Sequence, residues 1–175
     1  MNILESILKE GGGALVGALA KNMGINPKLA EAAIKQLTPA LTRGLSNNMK
    51  TEQGTGSLLD ALSRGNHERT LNDFGTLNLD DTINEGNEVL GHILKGKDVS
   101  RNVAGAAAKK AGVSSGILKK MLPVLAMVVM GMMKRKTSSA GTSRKAGGGL
   151  LRTFLDSDGD GSIIDDILSL AVKFF

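Results

Sequence analysis

Cysteine, tryptophan and tyrosine are absent from this 175-residue chain; only four phenylalanines, three prolines and two histidines are present. Without cysteine no disulfide framework exists and nothing argues for an oxidising compartment, so a cytoplasmic setting is expected. Without large aromatics the core must be assembled from Leu, Ile, Val, Ala and Met, which favours close-packed helices. His67 and His92 have no cysteine to join at a metal. His92 is expected to be a helix-packing or capping residue. Gly11–Gly13 and Gly147–Gly149 lack the following Lys-Ser/Thr of a phosphate loop and the strand that should precede one. These scarcities point away from an enzyme, and no small-molecule substrate is inferred. The start, Met1 to Glu10, has acid within its apolar run and no basic n-region, so it reads as a short amphipathic helix and not a secretory signal.

What is abundant is positive charge, unevenly placed. The net charge of +5 conceals three zones. Residues 1–94 hold 8 Lys/Arg against 11 Asp/Glu, residues 95–153 hold 13 against Asp98 alone, and residues 154–175 hold Lys173 against five Asp. A basic block of that density suits phosphates, an anionic membrane surface or the acidic tail itself.

Helical periodicity dominates and no alternating strand pattern appears. Helices are expected from Leu15 to Asn22, from Asn26 (cap) and Pro27 to about Leu45, from Ser57 (cap) to Arg64, from a Thr82/Glu85 capping box to Leu94, from Val99 to Ala111, and from Ser114 (cap) to about Met133. Residues 65–81 read as irregular. Two stretches match at a separation of 88 residues: Gly17, Ala18, Ala20, Lys21 and Gly24 against Gly105, Ala106, Ala108, Lys109 and Gly112. Ile25 then pairs with Val113, Asn26 with Ser114, Leu29 with Ile117 and Leu37 with Leu125. The expected fold is therefore all-α, a helical bundle with duplicated helix-turn-helix-like hairpins at 15–45 and 103–133.

The second hairpin resembles a DNA-binding helix-turn-helix in its small and apolar residues around a glycine turn: Ala107, Ala108, Ala111, Gly112, Val113, Leu118 and Met121. On that basis Lys109, Lys110, Ser115, Lys119 and Lys120, with the cluster Lys134, Arg135 and Lys136, are the candidate nucleic-acid contacts. Against base reading, the second helix continues into Met121 to Met133, apolar on every face, which must be buried. That run is thirteen residues long, whereas a membrane span needs about twenty. A core helix is expected, or one completed by a second protomer, which argues for self-association or a protein partner.

The stretch Gly86 to Leu94, the Ala/Gly-rich hairpin after it and the Leu122-Pro123 helix resemble the YidB-like family of uncharacterised bacterial proteins. The resemblance runs from about Leu15 to Met133. It implies an all-helical fold with a homeodomain-like arrangement, and carries no catalytic residue over. The body is thus expected to span residues 1–133, a flexible basic linker 134–149, and a small C-terminal helix-loop-helix 150–175.

That last segment contains Asp156-Ser157-Asp158-Gly159-Asp160-Gly161-Ser162. Three carboxylates at alternate positions repel one another unless a hard cation sits among them, and EF-hand- or dockerin-like calcium loops use this spacing. Asp156, Asp158 and Asp160 would ligate through side chains and Ser162 through its carbonyl. The twelfth loop position is Ile167, not an acid, which leaves Asp165, Asp166 or a water to close the shell. Ca²⁺ is the expected ion and Mg²⁺ the alternative. The resulting expectation is a non-enzymatic helical interaction or self-assembly protein with a cation-binding loop; the alternative is a DNA-binding protein using residues 95–153.

Overall fold

The computed structural model describes residues 12–65, 67–73 and 78–138, together with Ile7 and Thr76. Among the described residues there are seven helices and no strand: α1 (Gly12–Met23), α2 (Pro27–Met49), α3 (Glu52–Arg64), α4 (His67–Asn72), α5 (Leu79–Leu94), α6 (Lys97–Ala111) and α7 (Ser115–Ser138). The all-α bundle is as expected. The N-terminal amphipathic segment lies outside the described residues except for Ile7, which is helical and buried.

Helix α7 is the centre. Each residue from Met121 to Met133 is buried, and α7 packs against all six other described helices. The protein's own chain thus covers the apolar run, and no second protomer is required. By length and composition Ser115–Arg135 would also pass as a membrane span, with a mean hydropathy of 1.6, yet 78% of that window is buried by neighbouring helices. Core packing accounts for its hydropathy without a bilayer.

Glycines bring these helices close where aromatics are missing. A Cβ on Gly44 of α2 would collide with the Ile93 carbonyl of α5. One on Gly86 of α5 would strike the Pro123 carbonyl of α7, and one on Gly131 of α7 the His67 carbonyl of α4. At each crossing backbone meets backbone, which only a residue without a side chain permits.

Polar groups join the ends of helices. Buried Asn48 of α2 donates from Nδ2 to the carbonyls of His92 and Ile93, at 2.7 and 3.0 Å, serving two of the orphan acceptors at the end of α5. Lys134 Nζ donates to the Gly65 carbonyl at 2.7 Å, and Arg135 Nη2 to Asn72 Oδ1 at 2.8 Å, tying α7 to the α3–α4 region. His67 is buried; its Nε2 contacts the Ala61 carbonyl at 3.1 Å, while Nδ1 has no partner among the described residues.

Several local expectations are corrected. Thr51, not Ser57, caps α3, its hydroxyl accepting from the Gly54 N–H at 3.1 Å. Residues 67–72, read as irregular, form α4 because their backbone is packed against α7. Asn78 caps α5 by accepting from the Asp80 and Asp81 N–H groups, so the Thr82/Glu85 box is not used; the Thr82 hydroxyl instead donates to the Asn78 carbonyl at 2.8 Å. Helix α7 continues to Ser138, so residues 134–138 are helix and not linker. His92 is exposed, and what it contributes to packing is its carbonyl.

Candidate nucleic-acid interface

The α6–α7 turn is set by three residues. Gly112 takes φ 67°, a left-handed value costly for other residues, and its N–H donates to the Ala108 carbonyl at 3.1 Å. Val113 is buried and anchors the turn to the core. Ser114 Oγ accepts from the Ile117 N–H at 3.4 Å. The α1–α2 turn repeats this with Gly24 at φ 64° and Asn26 Oδ1 accepting from the Leu29 N–H at 2.9 Å. The two turns thus share the glycine conformation and the cap, while their backbone bonds differ: the Gly24 N–H donates to the Lys21 carbonyl at 3.3 Å, and the Ile25 N–H to the Ala20 carbonyl at 3.0 Å.

Beyond the turn, Ser115, Gly116, Lys119 and Lys120 are all exposed, and their spacing places them on one face of the first two turns of α7. Everything from Met121 to Met133 is enclosed. This short exposed end is what a helix-turn-helix offers to a groove, since the N-terminal residues of the second helix read the bases.

The remaining candidates divide. Lys109 is exposed on α6. Lys110 lines a groove of about 160 Å³ between α2 and α6, shared with Arg43 and Gln36. Lys119 lines a different cleft, of about 550 Å³, where α5, α6 and α7 meet. Lys134 and Arg135 stand roughly 22 Å further along α7 than Lys119 at the usual helical rise, and both hydrogen-bond within the bundle. They do not join the α6–α7 turn in one surface. Lys136 is in α7, and its side chain lies outside the described residues.

The larger cleft also gathers Lys95, Lys97 and Arg101, which were not singled out from sequence. The signal was there: Lys97 and Arg101 are four apart and so share a helix face. What could not be read was that α7 would bring Lys119 to the same place.

The calcium-type loop, with Asp156, Asp158, Asp160, Ser162, Asp165 and Asp166, lies outside the described residues. Among the described residues no group of three or more His, Cys, Asp or Glu could hold a metal ion. Burial lowers the pKa of His67 and Lys134 lowers it further, against the raising effects of the Ala61 hydrogen bond and Glu85. His67 opens α4 and contacts the Ala61 carbonyl of α3.

The sequence model of a family described as Bacterial protein of unknown function (DUF937) matches residues 5–136. The chain belongs to this family, which includes YidB, and the resemblance read from the sequence holds for the helical body. The Asp-rich loop falls beyond the matched residues. No curated protein and no solved structure matches the chain.

Proposed function

We propose, for this member of a bacterial family of unknown function, that the helical body is a non-enzymatic module that binds duplex DNA. The observation that carries it is the exposed start of α7, with Ser115, Gly116, Lys119 and Lys120 on one face behind a left-handed glycine turn. The rest of the described surface supports this choice over an interaction module. Among the described residues Val99 is the one exposed large hydrophobic, so they offer a protein partner little apolar surface beyond the small groove of Pro39, Ala40, Val103 and Ala106. The enclosed Met121–Met133 helix also removes the main reason for expecting self-association.

Affinity would come from phosphate contacts and fall steeply with salt, because each neutralised phosphate releases counterion. Sequence preference would be weak, since this face bears few groups able to read base edges. The C-terminal loop would add a Ca²⁺ site on Asp156, Asp158 and Asp160, checked by calorimetry on the full chain and on Asp158→Ala.

The test of DNA binding is a fluorescence-anisotropy salt series. Lys119→Gln and Lys120→Gln should each lower the salt slope by about 1, whereas Lys134→Gln should leave it unchanged. Absence of binding at low salt, or an equal effect of all three substitutions, rejects the proposal.

A further inference from the structure

The two residues between α5 and α6, Lys95 and Gly96, open the cleft of about 550 Å³ described above. Its apolar floor includes Leu90 and Leu122, and Lys95, Lys97, Arg101 and Lys119 line it. No carboxylate lines it among the described residues; Asp98 reaches Arg101 in an exposed 3.0 Å pair but is not part of the wall. Four cations drawn into one concavity repel each other, and an anion between them turns that repulsion into attraction.

Two details suggest that the concavity is kept for an occupant. Lys95 has φ 58°, the single non-glycine residue in the left-handed region among the described residues. Glycine would take that conformation without strain, yet the position holds a lysine that lines the cleft. Gly91, on the same wall, is a glycine inside α5 that packing does not require: a Cβ there would meet nothing within 4 Å. The backbone of α5 is left bare where it faces the cavity.

We propose that this cleft binds a small molecule carrying a phosphate or diphosphate group, of nucleotide size. The volume lies in the range usual for small-molecule sites, roughly 300–1,000 Å³. A concave pocket with an apolar floor suits such a ligand better than the convex backbone of a duplex. The phosphate meets Lys97, Arg101 and Lys119, and Asn87 supplies a neutral hydrogen-bonding group, while the Ser100 hydroxyl is spent on the Gly96 carbonyl at 3.3 Å. Gly96 gives α6 no side-chain cap, so N–H groups of its first turn remain available to the same anion. The site stands independently of DNA binding, although Lys119 would serve both and a bound ligand would compete with DNA for it.

The test uses the full chain and calorimetry with inorganic pyrophosphate and then ADP, with vesicles of phosphatidylcholine and phosphatidate as the lipid arm. Saturable 1:1 binding of pyrophosphate or ADP is expected. Lys97→Gln with Arg101→Gln should weaken it by about tenfold. Lys21→Gln with Lys28→Gln, which removes equal charge from α1 and α2, should change it by less than about twofold. Lys95→Gly should raise Tm while weakening binding, a combination that misfolding cannot produce. No saturable binding of either probe, binding to vesicles alone, or equal losses in the two double variants overturns the proposal. A salt-dependent affinity for duplex DNA without pyrophosphate or ADP binding would sink this site and leave the proposed DNA function intact.

Discussion

In α1–α2 the chain turns through Gly24 at φ 64° and Asn26 accepts from Leu29; in α6–α7 it turns through Gly112 at φ 67° and Ser114 accepts from Ile117. The buried positions of the long helices also correspond at the same spacing: Ala30, Ala33, Ile34, Leu37, Leu41 and Leu45 in α2, and Leu118, Met121, Leu122, Leu125, Val129 and Met133 in α7. Their situations then differ. Helix α2 keeps an open side, with Gln36, Pro39 and Ala40 half-exposed, while α7 is enclosed from Met121 to Met133. One hairpin design therefore serves once as a flank and once as the centre of the bundle. Local signals settle the hairpin, and the neighbours settle its use.

Core truncation should separate the two copies most. Leu37 and Leu125 are matched and both fully buried. Leu125→Ala, surrounded by helices that cannot all close in, should cost about 4 kcal/mol, and Leu37→Ala, beside a side free to relax, about 3 kcal/mol. Urea unfolding measures both; equal losses would mean that the copies are equally confined.

Glycine substitutions sharpen the contrast between crossing and open positions. Gly86→Ala and Gly131→Ala, each driven against a carbonyl of a neighbouring helix, should destabilise by about 1–3 kcal/mol. Gly17→Ala and Gly105→Ala, matched positions where a Cβ meets nothing within 4 Å, should stabilise by about 0.5–1 kcal/mol each. A loss at either open position would show that one copy packs more tightly there than its partner.

The caps should respond more weakly and unequally. Asn26→Ala removes a 2.9 Å bond and should cost about 1 kcal/mol; Ser114→Ala removes a 3.4 Å bond and should cost about 0.5 kcal/mol. Thermal melts of the two variants under one buffer condition decide the order.

The smallest effect concerns α4, which has no counterpart in the duplication. Burial lowers the His67 pKa in the folded protein, so the unfolded chain takes up the proton first as pH falls. His67 therefore supports stability above its unfolded pKa of about 6.5, and that support drains away below it until the folded value is passed. Tm should drop through this window in the native chain and less in His67→Gln. Parallel curves would mean that His67 does not govern the response.

Much of this was legible because it is local. A left-handed turn needs glycine, an N-cap needs a short polar side chain, and Pro27 suits a first helical turn; Gly24, Gly112, Asn26 and Ser114 could be assigned from residue type and spacing alone. The burial of Met121 to Met133 was legible from its lack of a polar face. Helix α4 was not, because a six-residue helix has too little intrinsic stability to announce itself and forms by packing on α7. The cap of α5 was misplaced because Asn78 and the Thr82/Glu85 pair are competing signals about one turn apart. Among the candidate contacts, Lys119 and Lys120 emerged on one exposed face, while Lys134 and Arg135 were claimed by hydrogen bonds to Gly65 and Asn72.

The sequence by itself determined the helical class, the paired hairpins and the need for α7 to be covered, since each follows from propensity, turn chemistry or hydrophobicity acting within a few residues. Only the tertiary structure decided that one chain could cover α7 without a second copy. It did so through Gly86 and Gly131, where backbones touch across helices far apart in sequence. The same long-range packing drew Lys95, Lys97, Arg101 and Lys119 into one cleft, because the position of a charge in space depends on how whole helices pack and not on its neighbours along the chain.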